Sequence, residues 1–431
     1  MSMFGRKLVA RLVIIGTLWL GLGLLTLLGK TDGQLLVQAG IFSALVVFGC
    51  ALESLLHFEG DAILLSTVQL ITAIGLVFLV RIRPAIALHQ FWWANIGLVV
   101  FYVVVWGLRD YRGLTSFQYL WGLTAVLLLL ITLLFGMSAN GARSWLKIGS
   151  LGFEPEELVK VALLLFLASY LGEHEEILRV GTVQWGRISL PDGRTLGPFF
   201  VMAAFCLGLL AAQKSLGTAL VFYALFVLML YTVTERSLYL VVSLPVLLMT
   251  GLLGYYLFGH VRVRVGVWLH PWGDPTGGGY QVAQSLFAIG GGGVLGTGLG
   301  NGIGAFQVPE ASTDFVFAVI AEELGFAGAA ALLGLFLVVV CRAFVVSAGA
   351  RDRFGQILAA GIGILLSTET LIILAGVTKL LPLTGIPLPW VSYGGSSLLV
   401  HFLLLGLLAH ISHVNTSGSL TAKAKGKECA A

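Results

Sequence analysis

Val308-Pro309-Glu310-Ala311-Ser312-Thr313-Asp314-Phe315 leads straight into an apolar run over residues 318–340, which carries a second acidic pair, Glu322-Glu323. A helix rises about 1.5 Å per residue, so the pair lies roughly 12 Å past Asp314, inside a hydrocarbon layer about 30 Å thick. A carboxylate at that depth costs about 2.5–3.5 kcal/mol on insertion scales and is retained where it faces a polar cavity or a partner. A chain that keeps Asp314, Glu322 and Glu323 there is expected to handle a polar substrate at the membrane surface.

The rest of the sequence places that loop in an all-α polytopic membrane protein. Of 431 residues 58% are hydrophobic and 11% charged, and apolar runs of spanning length recur throughout. A net charge of +4 is small and spread out, which leaves no basic patch for nucleic acid. Cys50, Cys206, Cys341 and Cys429 are too far apart for a disulfide framework or a zinc-ligand spacing. The basic start and the apolar run over 12–28 admit a signal peptide. Without a small-x-small site before Lys30, and with another span following at once, they read better as an uncleaved helix.

Twelve spans are expected: 11–29, 34–56, 62–80, 86–107, 114–136, 157–171, 196–212, 216–233, 237–258, 315–341, 355–378 and 395–413. An even count puts both termini on one side, and Arg6, Lys7, Arg11, Lys423, Lys425 and Lys427 mark that side as cytoplasmic. Short inner loops carry Arg109, Arg112, Arg236, Arg342, Arg351 and Arg353. The opposite face keeps Arg81, Arg83, Arg143, Lys147, Lys160, Lys214, Arg262, Arg264 and Lys379, and cations held there suggest an anionic ligand. Residues 259–313 are too long for a simple connection and are expected to be functional, with 280–289 lying in the interface plane. Residues 414–431 read as a disordered cytoplasmic tail.

Several motifs carry candidate chemistry. In Glu154-Pro155-Glu156-Glu157-Leu158-Val159-Lys160, proline suits a first helical turn and Glu157 shares a face with Lys160. Either the pair is a structural ion pair, or Glu157 holds Lys160 toward a lipid-linked phosphate. Asn140-Gly141-Ala142-Arg143-Ser144-Trp145 offers an arginine in a glycine turn that could grip a diphosphate, beside an interfacial tryptophan. Glycines from Gly290 to Gly304 lack the Gly-Lys-Ser/Thr of a nucleotide loop and more simply let the backbone turn or approach something closely. The three-proline stretch from Leu380 to Ser397 is a rigid re-entry, with Ser392 and Ser396 either facing a headgroup or capping the last helix. Asp314 also suits the first turn of a helix. His410 and His413 alone do not make a metal site.

Together these segments resemble the SEDS family (shape, elongation, division and sporulation), polytopic proteins of the FtsW and RodA type. The matching pieces are Gly141 to Trp145, Pro155 to Lys160, Leu216-Gly217-Thr218-Ala219, Gly279-Tyr280-Gln281 with Gln284-Ser285, Gly298 to Gly302, Pro309 to Gly325 and Leu381 to Ser397. They occur in family order over roughly residues 60–413. The wording around Ala321 to Gly325 and Thr384 to Pro389 looks more like FtsW than RodA.

The resemblance implies a ten-helix core at 59–413, an extra helix pair at 1–58 and a large extracytoplasmic loop at 259–313. It implies a multi-pass glycosyltransferase of the bacterial cytoplasmic membrane that polymerises lipid II on the outer face, inverting the anomeric carbon and releasing undecaprenyl diphosphate. Asp314 falls on the family's catalytic aspartate. Arg143, Trp145, Glu157, Lys160, Gln284, Ser392 and Ser396 are expected to contact substrate, with Glu310, Glu322, Glu323 and Glu369 as cavity acids. Arg143, Lys160 or a divalent cation (magnesium or manganese, with no ligands assigned) would balance the leaving diphosphate. A class B penicillin-binding protein is the implied partner.

The chain departs from the family pattern at Ser312 (commonly His), at Lys214-Ser215 (commonly Pro-Asp), and at Glu369 and Ile373 (often Gln and Asn). Its first two spans have no counterpart in the usual core. Glu369 is accordingly expected to pair with a cavity lysine. A lipid II flippase and a weakly catalytic scaffold for a penicillin-binding protein are the rival readings; a flippase would not specifically need a carboxylate in an outer loop, and a scaffold would bind its partner and make no polymer.

Overall fold

The computed structural model describes residues 3–139, 142–149, 151–180, 183–185, 188–190, 193–274 and 276–428. Asn140 and Gly141, the start of the glycine turn quoted above, lie outside them. Its helices are α1 (Met3–Leu27), α2 (Gly33–Leu55), α3 (Ala62–Ile82), α4 (Pro84–Gly107), α5 (Gln118–Phe135), α6 (Pro155–Glu173), α7 (Glu175–Val180), α8 (Gly193–Gln213), α9 (Leu216–Thr234), α10 (Ser237–Leu257), α11 (Gly259–Leu269), α12 (Tyr280–Gly292), α13 (Gly304–Gln307), α14 (Val316–Gly349), α15 (Arg353–Val377) and α16 (Gly395–Glu428).

Among the described residues, eleven helices are long and apolar enough to cross a membrane. The twelfth expected span is α6, whose first turn carries Glu156 and Glu157 with Lys160 in the next, and which is buried from Val159 to Leu171 except at Val161. The protein is a multi-pass, all-α membrane protein. Charge marks α6 as an inner helix: α5, α9, α15 and α16 surround it and shield its polar end from lipid. By contrast, among the described residues α10 buries none of its own and packs mainly on α9 and α11, so most of its apolar side chains are left to lipid.

The N-terminal pair packs on the bundle, α1 against α3 and α2 against α4. Its polar anchor is buried: the Arg11 guanidinium donates to Glu53 Oε1 (2.9 Å) and Ser66 Oγ (2.8 Å), and Lys7 Nζ lies 3.6 Å from Glu53. One carboxylate on α2 therefore gathers two cations of α1.

Two connections differ from expectation. The connection between α5 and α6 carries a three-stranded antiparallel sheet, β1 (Met137–Ala139), β2 (Ala142–Ile148) and β3 (Leu151–Phe153), with Leu146 opposite Phe153 and a bulge at Met137/Ser138. A second, two-stranded pair, β4 (Val183–Trp185) and β5 (Ile188–Leu190), lies in the other polar connection. The long loop is largely helical, and α12 docks on α14 and α15 through Val282, Ala283, Ser285 and Ala288, with Ser285 Oγ donating to Val377 O (3.2 Å). The last helix continues to Glu428, where a disordered tail is expected from 414; the alanines and lysines there are good helix formers.

The glycine run breaks α14 and repairs the break. Gly325 has φ 68°, ψ −172°, and a Cβ there would lie 2.2 Å from Gly296 N. The interrupted helix then bonds to the glycine segment: Thr297 N–H donates to Glu322 O (3.0 Å), Gly298 N–H to Glu323 O (3.0 Å) and Phe326 N–H to Gly293 O (2.9 Å). Irregular backbone survives in a membrane protein only when its amides and carbonyls are satisfied in this way.

Candidate active site

If the spans alternate in direction, the N-termini of α6, α9, α14 and α16 and the C-termini of α8 and α15 fall on one face. A cavity of about 560 Å³ opens there, lined by all of these ends except α14's first turn, and by α11, α12 and residues of the 308–314 loop. Its acidic and basic wall residues are Glu154, Glu157, Lys214, Arg264, Glu310, Asp314 and Lys379.

Asp314 is positioned by its own turn and by the proline segment. Glu310 adopts a left-handed backbone (φ 53°), and its carbonyl accepts from the amides of Thr313 (3.1 Å), Asp314 (3.2 Å) and Phe315 (3.3 Å). From the far side, Tyr393 N–H donates to Ser312 O (2.8 Å), and the Ser392 hydroxyl donates to Thr313 O while accepting from Leu388 N–H (3.0 Å). Gly385, also left-handed (φ 75°), comes so near that a Cβ there would lie 3.6 Å from Asp314 Oδ2. Burial, then the neighbouring Glu310 charge, pushes the Asp314 carboxyl up to about 6, against the opposing pull of Arg264 and Thr313. A carboxylate so raised is ionised at neutral pH yet basic enough to take a proton. Glu154 faces the same space, and burial together with Glu157 and Glu156 raises its carboxyl well above the usual range.

Of the expected contact residues, Trp145, Glu157 and Ser396 lie on the wall, as does Glu310. Ser396 Oγ also accepts the Glu154 amide (3.1 Å), capping α6 from a different helix. The others are elsewhere. Arg143 is exposed on β2, its guanidinium 3.5 Å from Leu133 O at the end of α5. Gln281 rather than Gln284 reaches the wall of α12. Ser392 is a buried fastener of the aspartate loop.

Lys160 is not aimed at the cavity. It is buried between Glu157 (2.8 Å) and Glu369 (2.5 Å), and Glu369 accepts in turn from His401 Nε2 (2.8 Å). Glu369 thus has the expected lysine partner, but inside the bundle instead of as a cavity acid. Glu322 and Glu323 are not cavity acids either. Glu322 accepts from the amides of Ile303 (3.0 Å) and Gly304 (2.8 Å); Glu323 accepts from Gly300 N–H (2.9 Å) and Arg81 Nε (2.9 Å). Arg81 donates onward to Gly300 O (2.9 Å) and Gly302 O (2.7 Å), so the acidic pair staples the glycine segment to α3. Buried carboxylates need partners, and here backbone amides and an arginine supply them.

Glu154 adds negative charge to the cavity, and Lys214, Arg264 and Lys379 its positive charge; none of the four was among the expected site residues. The signal for the three cations was the surplus of basic residues on the outer face. Ser215, where the family commonly has an acid, donates to Glu156 Oε2 (2.7 Å) and joins α9 to α6.

The signature of the FtsW, RodA and SpoVE family, described as cell cycle proteins, matches residues 56–417, beginning just after α2. The chain belongs to this family. Relatives include the peptidoglycan glycosyltransferase RodA of Mycobacterium tuberculosis, 37% identical over 384 residues (86% of this chain, 82% of that protein). Stage V sporulation protein E of Bacillus subtilis is 34% identical over 330 residues (76% and 86%), and a probable peptidoglycan glycosyltransferase FtsW of Geobacter metallireducens 36% over 313 (70% and 79%). Identity is spread almost evenly across the three names, so the FtsW-like wording of two motifs does not separate this member from RodA. Among solved structures, a chain from a study of polymerisation and crosslinking by a peptidoglycan synthase complex superposes with a TM-score of 0.69 at 28% identity, covering 83% of this chain and 98% of that one. Thermus thermophilus RodA gives 0.58 at 27% identity, covering 82% and 97%.

Proposed function

We infer that this family member is a peptidoglycan glycosyltransferase that extends glycan strands from lipid II at the outer face of the bacterial cytoplasmic membrane, in division or elongation. Both termini are cytoplasmic in this reading. The observation that carries it is Asp314, a raised carboxylate fixed from two sides at the wall of a polar cavity in an otherwise apolar bundle.

The reaction needs one base and one sink for negative charge. Asp314 accepts the proton of the acceptor sugar's 4-hydroxyl as that oxygen attacks C1 of the donor; the C1–oxygen bond to phosphate breaks with inversion, and the diphosphate leaves with the bonding electrons. Arg264, on the same wall, pulls against the rise of the Asp314 carboxyl and adds positive charge.

The described residues contain no cluster of three or more side chains suited to a metal ion. Magnesium commonly uses one or two carboxylates plus substrate phosphates, and Glu310, on the same wall as Asp314, is the carboxylate that would hold such an ion and leave the base free. Bound there, it would offset charge on the leaving group. A class B penicillin-binding protein is the proposed partner, since the new strand must be cross-linked. The test is polymer formation from purified lipid II, with and without that transpeptidase. Glycan chains support the reading, whereas lipid II that is bound or moved across the bilayer without being joined removes it.

A further inference from the structure

The two helices that end at the cavity, α8 and α15, terminate in the same way. Lys214 N–H donates to Ala211 O (3.1 Å) and Ser215 N–H to Leu210 O (3.0 Å); Lys379 N–H donates to Gly376 O (3.2 Å) and Leu380 N–H to Ala375 O (2.7 Å). Each is a paired six-to-one and five-to-two closure, whose pivotal residue must be left-handed and is usually glycine. Here both pivots are lysines, at φ 63° and 62°. A side chain is strained in that backbone; His57 closes α2 in the same way away from the cavity, so the two lysines are set apart by lying on the cavity wall.

What the side chains offer is charge. The C-terminal ends of α8 and α15 present partial negative charge to the cavity, which alone would repel an anion. A lysine at each end reverses the sign. Both line the cavity, and among the described residues neither ammonium has an ion-pair or hydrogen-bond partner. Arg264 is a third cation on the same wall, with one contact at 3.3 Å to Thr384 O. Leu216, Gly217 and Thr218, the positive first turn of α9, line the wall beside Lys214.

We propose that Lys214, Lys379 and Arg264 form a diphosphate subsite, with the two lysines held in glycine-type helix closures so that their ammonium groups offset the negative helix ends. This rests on the glycosyl-transfer reading and adds where the donor's diphosphate sits.

Glycine is the test substitution, because it suits the backbone while removing the charge. Wild type, Lys214→Gly, Lys379→Gly and the double variant, each as the full chain in nanodiscs, are compared for thermal midpoint, for binding of inorganic pyrophosphate, farnesyl diphosphate and farnesyl monophosphate, and for KM toward lipid II. The double variant should unfold at the wild-type temperature or above, bind both diphosphate probes at least about tenfold more weakly and show a raised KM. Wild type should prefer farnesyl diphosphate to the monophosphate. Stronger binding of farnesyl diphosphate than of pyrophosphate assigns the subsite to a lipid-borne group, and the reverse to the free anion. Unchanged diphosphate affinity in the double variant, or no diphosphate binding by wild type, overturns the subsite. Lysine-dependent diphosphate binding by a protein that joins no lipid II keeps the subsite and removes the glycosyltransferase reading.

Discussion

Lys160 Nζ lies 2.5 Å from Glu369 Oε1, with both side chains almost fully buried. The lysine enters the bundle one turn into α6 and is neutralised there by carboxylates from two helices, Glu157 on its own and Glu369 on α15. Removing the central cation leaves Glu157 without a counter-charge and Glu369 with only its His401 contact. Removing Glu369 leaves the cation still paired with Glu157. Lys160→Met should therefore cost about 3–5 kcal/mol of stability and Glu369→Gln clearly less. Thermal unfolding in detergent orders the two, and an indifferent Lys160→Met would show that the cluster does not hold α6 to α15.

Protonation of Asp314 sets a pH limb. A protonated carboxyl cannot accept the acceptor's proton, so kcat/KM should rise with pH through about 6 and level off above neutrality. Glu310 raises that value, so Glu310→Gln should move the limb to lower pH. Stability has the opposite sign. The folded carboxyl titrates above its ordinary 3.8, so stability falls as pH rises from about 4 through about 6, and the cost is fully present above about 7. Asp314→Asn should then raise stability by up to about 3 kcal/mol at pH 7.5 and leave it nearly unchanged at pH 3.5. Equal thermal midpoints for the two proteins at pH 7.5 would show that Asp314 is not strained by burial.

The Arg81–Glu323 pair should act on the glycine segment and leave the chemistry to other residues. Arg81→Met removes the donor to Glu323 and to two glycine carbonyls, leaving buried acceptors at a cost of about 3–5 kcal/mol. Hydrogen exchange at the amides of 296–304 should speed up before that of α15 does. Protection unchanged across that segment would refute the staple.

Arg143 and Arg264 separate what the motif suggests from what the cavity contains. Arg143→Ala, at an exposed position, should change polymerisation by no more than about twofold. Arg264→Gln, on the wall near Asp314, should lower kcat/KM by about one to two orders of magnitude. Measured side by side, the reverse order would return the anion contact to the β2 hairpin.

The membrane class and the helices were legible because a 30 Å layer demands long apolar runs, and α6 was legible despite its charges because Pro155 opens a helix. Asp314 stood out as a carboxylate just ahead of such a run. The hairpin at 137–153 was not legible, since three short strands pair only when the helices around them fix their ends. Nor could the sequence say whether a buried acid meets a cavity or a set of amides: Glu322 and Glu323 were read as the former and meet the latter. Lys214, Arg264 and Lys379 come from three distant segments and converge only in the folded bundle.

The most direct measurement is the rate at which lipid II is joined into glycan by the purified protein with the proposed transpeptidase partner, for wild type and Asp314→Asn, with lipid II binding measured on the same samples. Wild type should make polymer, while Asp314→Asn should bind lipid II and make it at least about a hundredfold more slowly. Polymer from Asp314→Asn at close to the wild-type rate would contradict the assignment of Asp314 as the base.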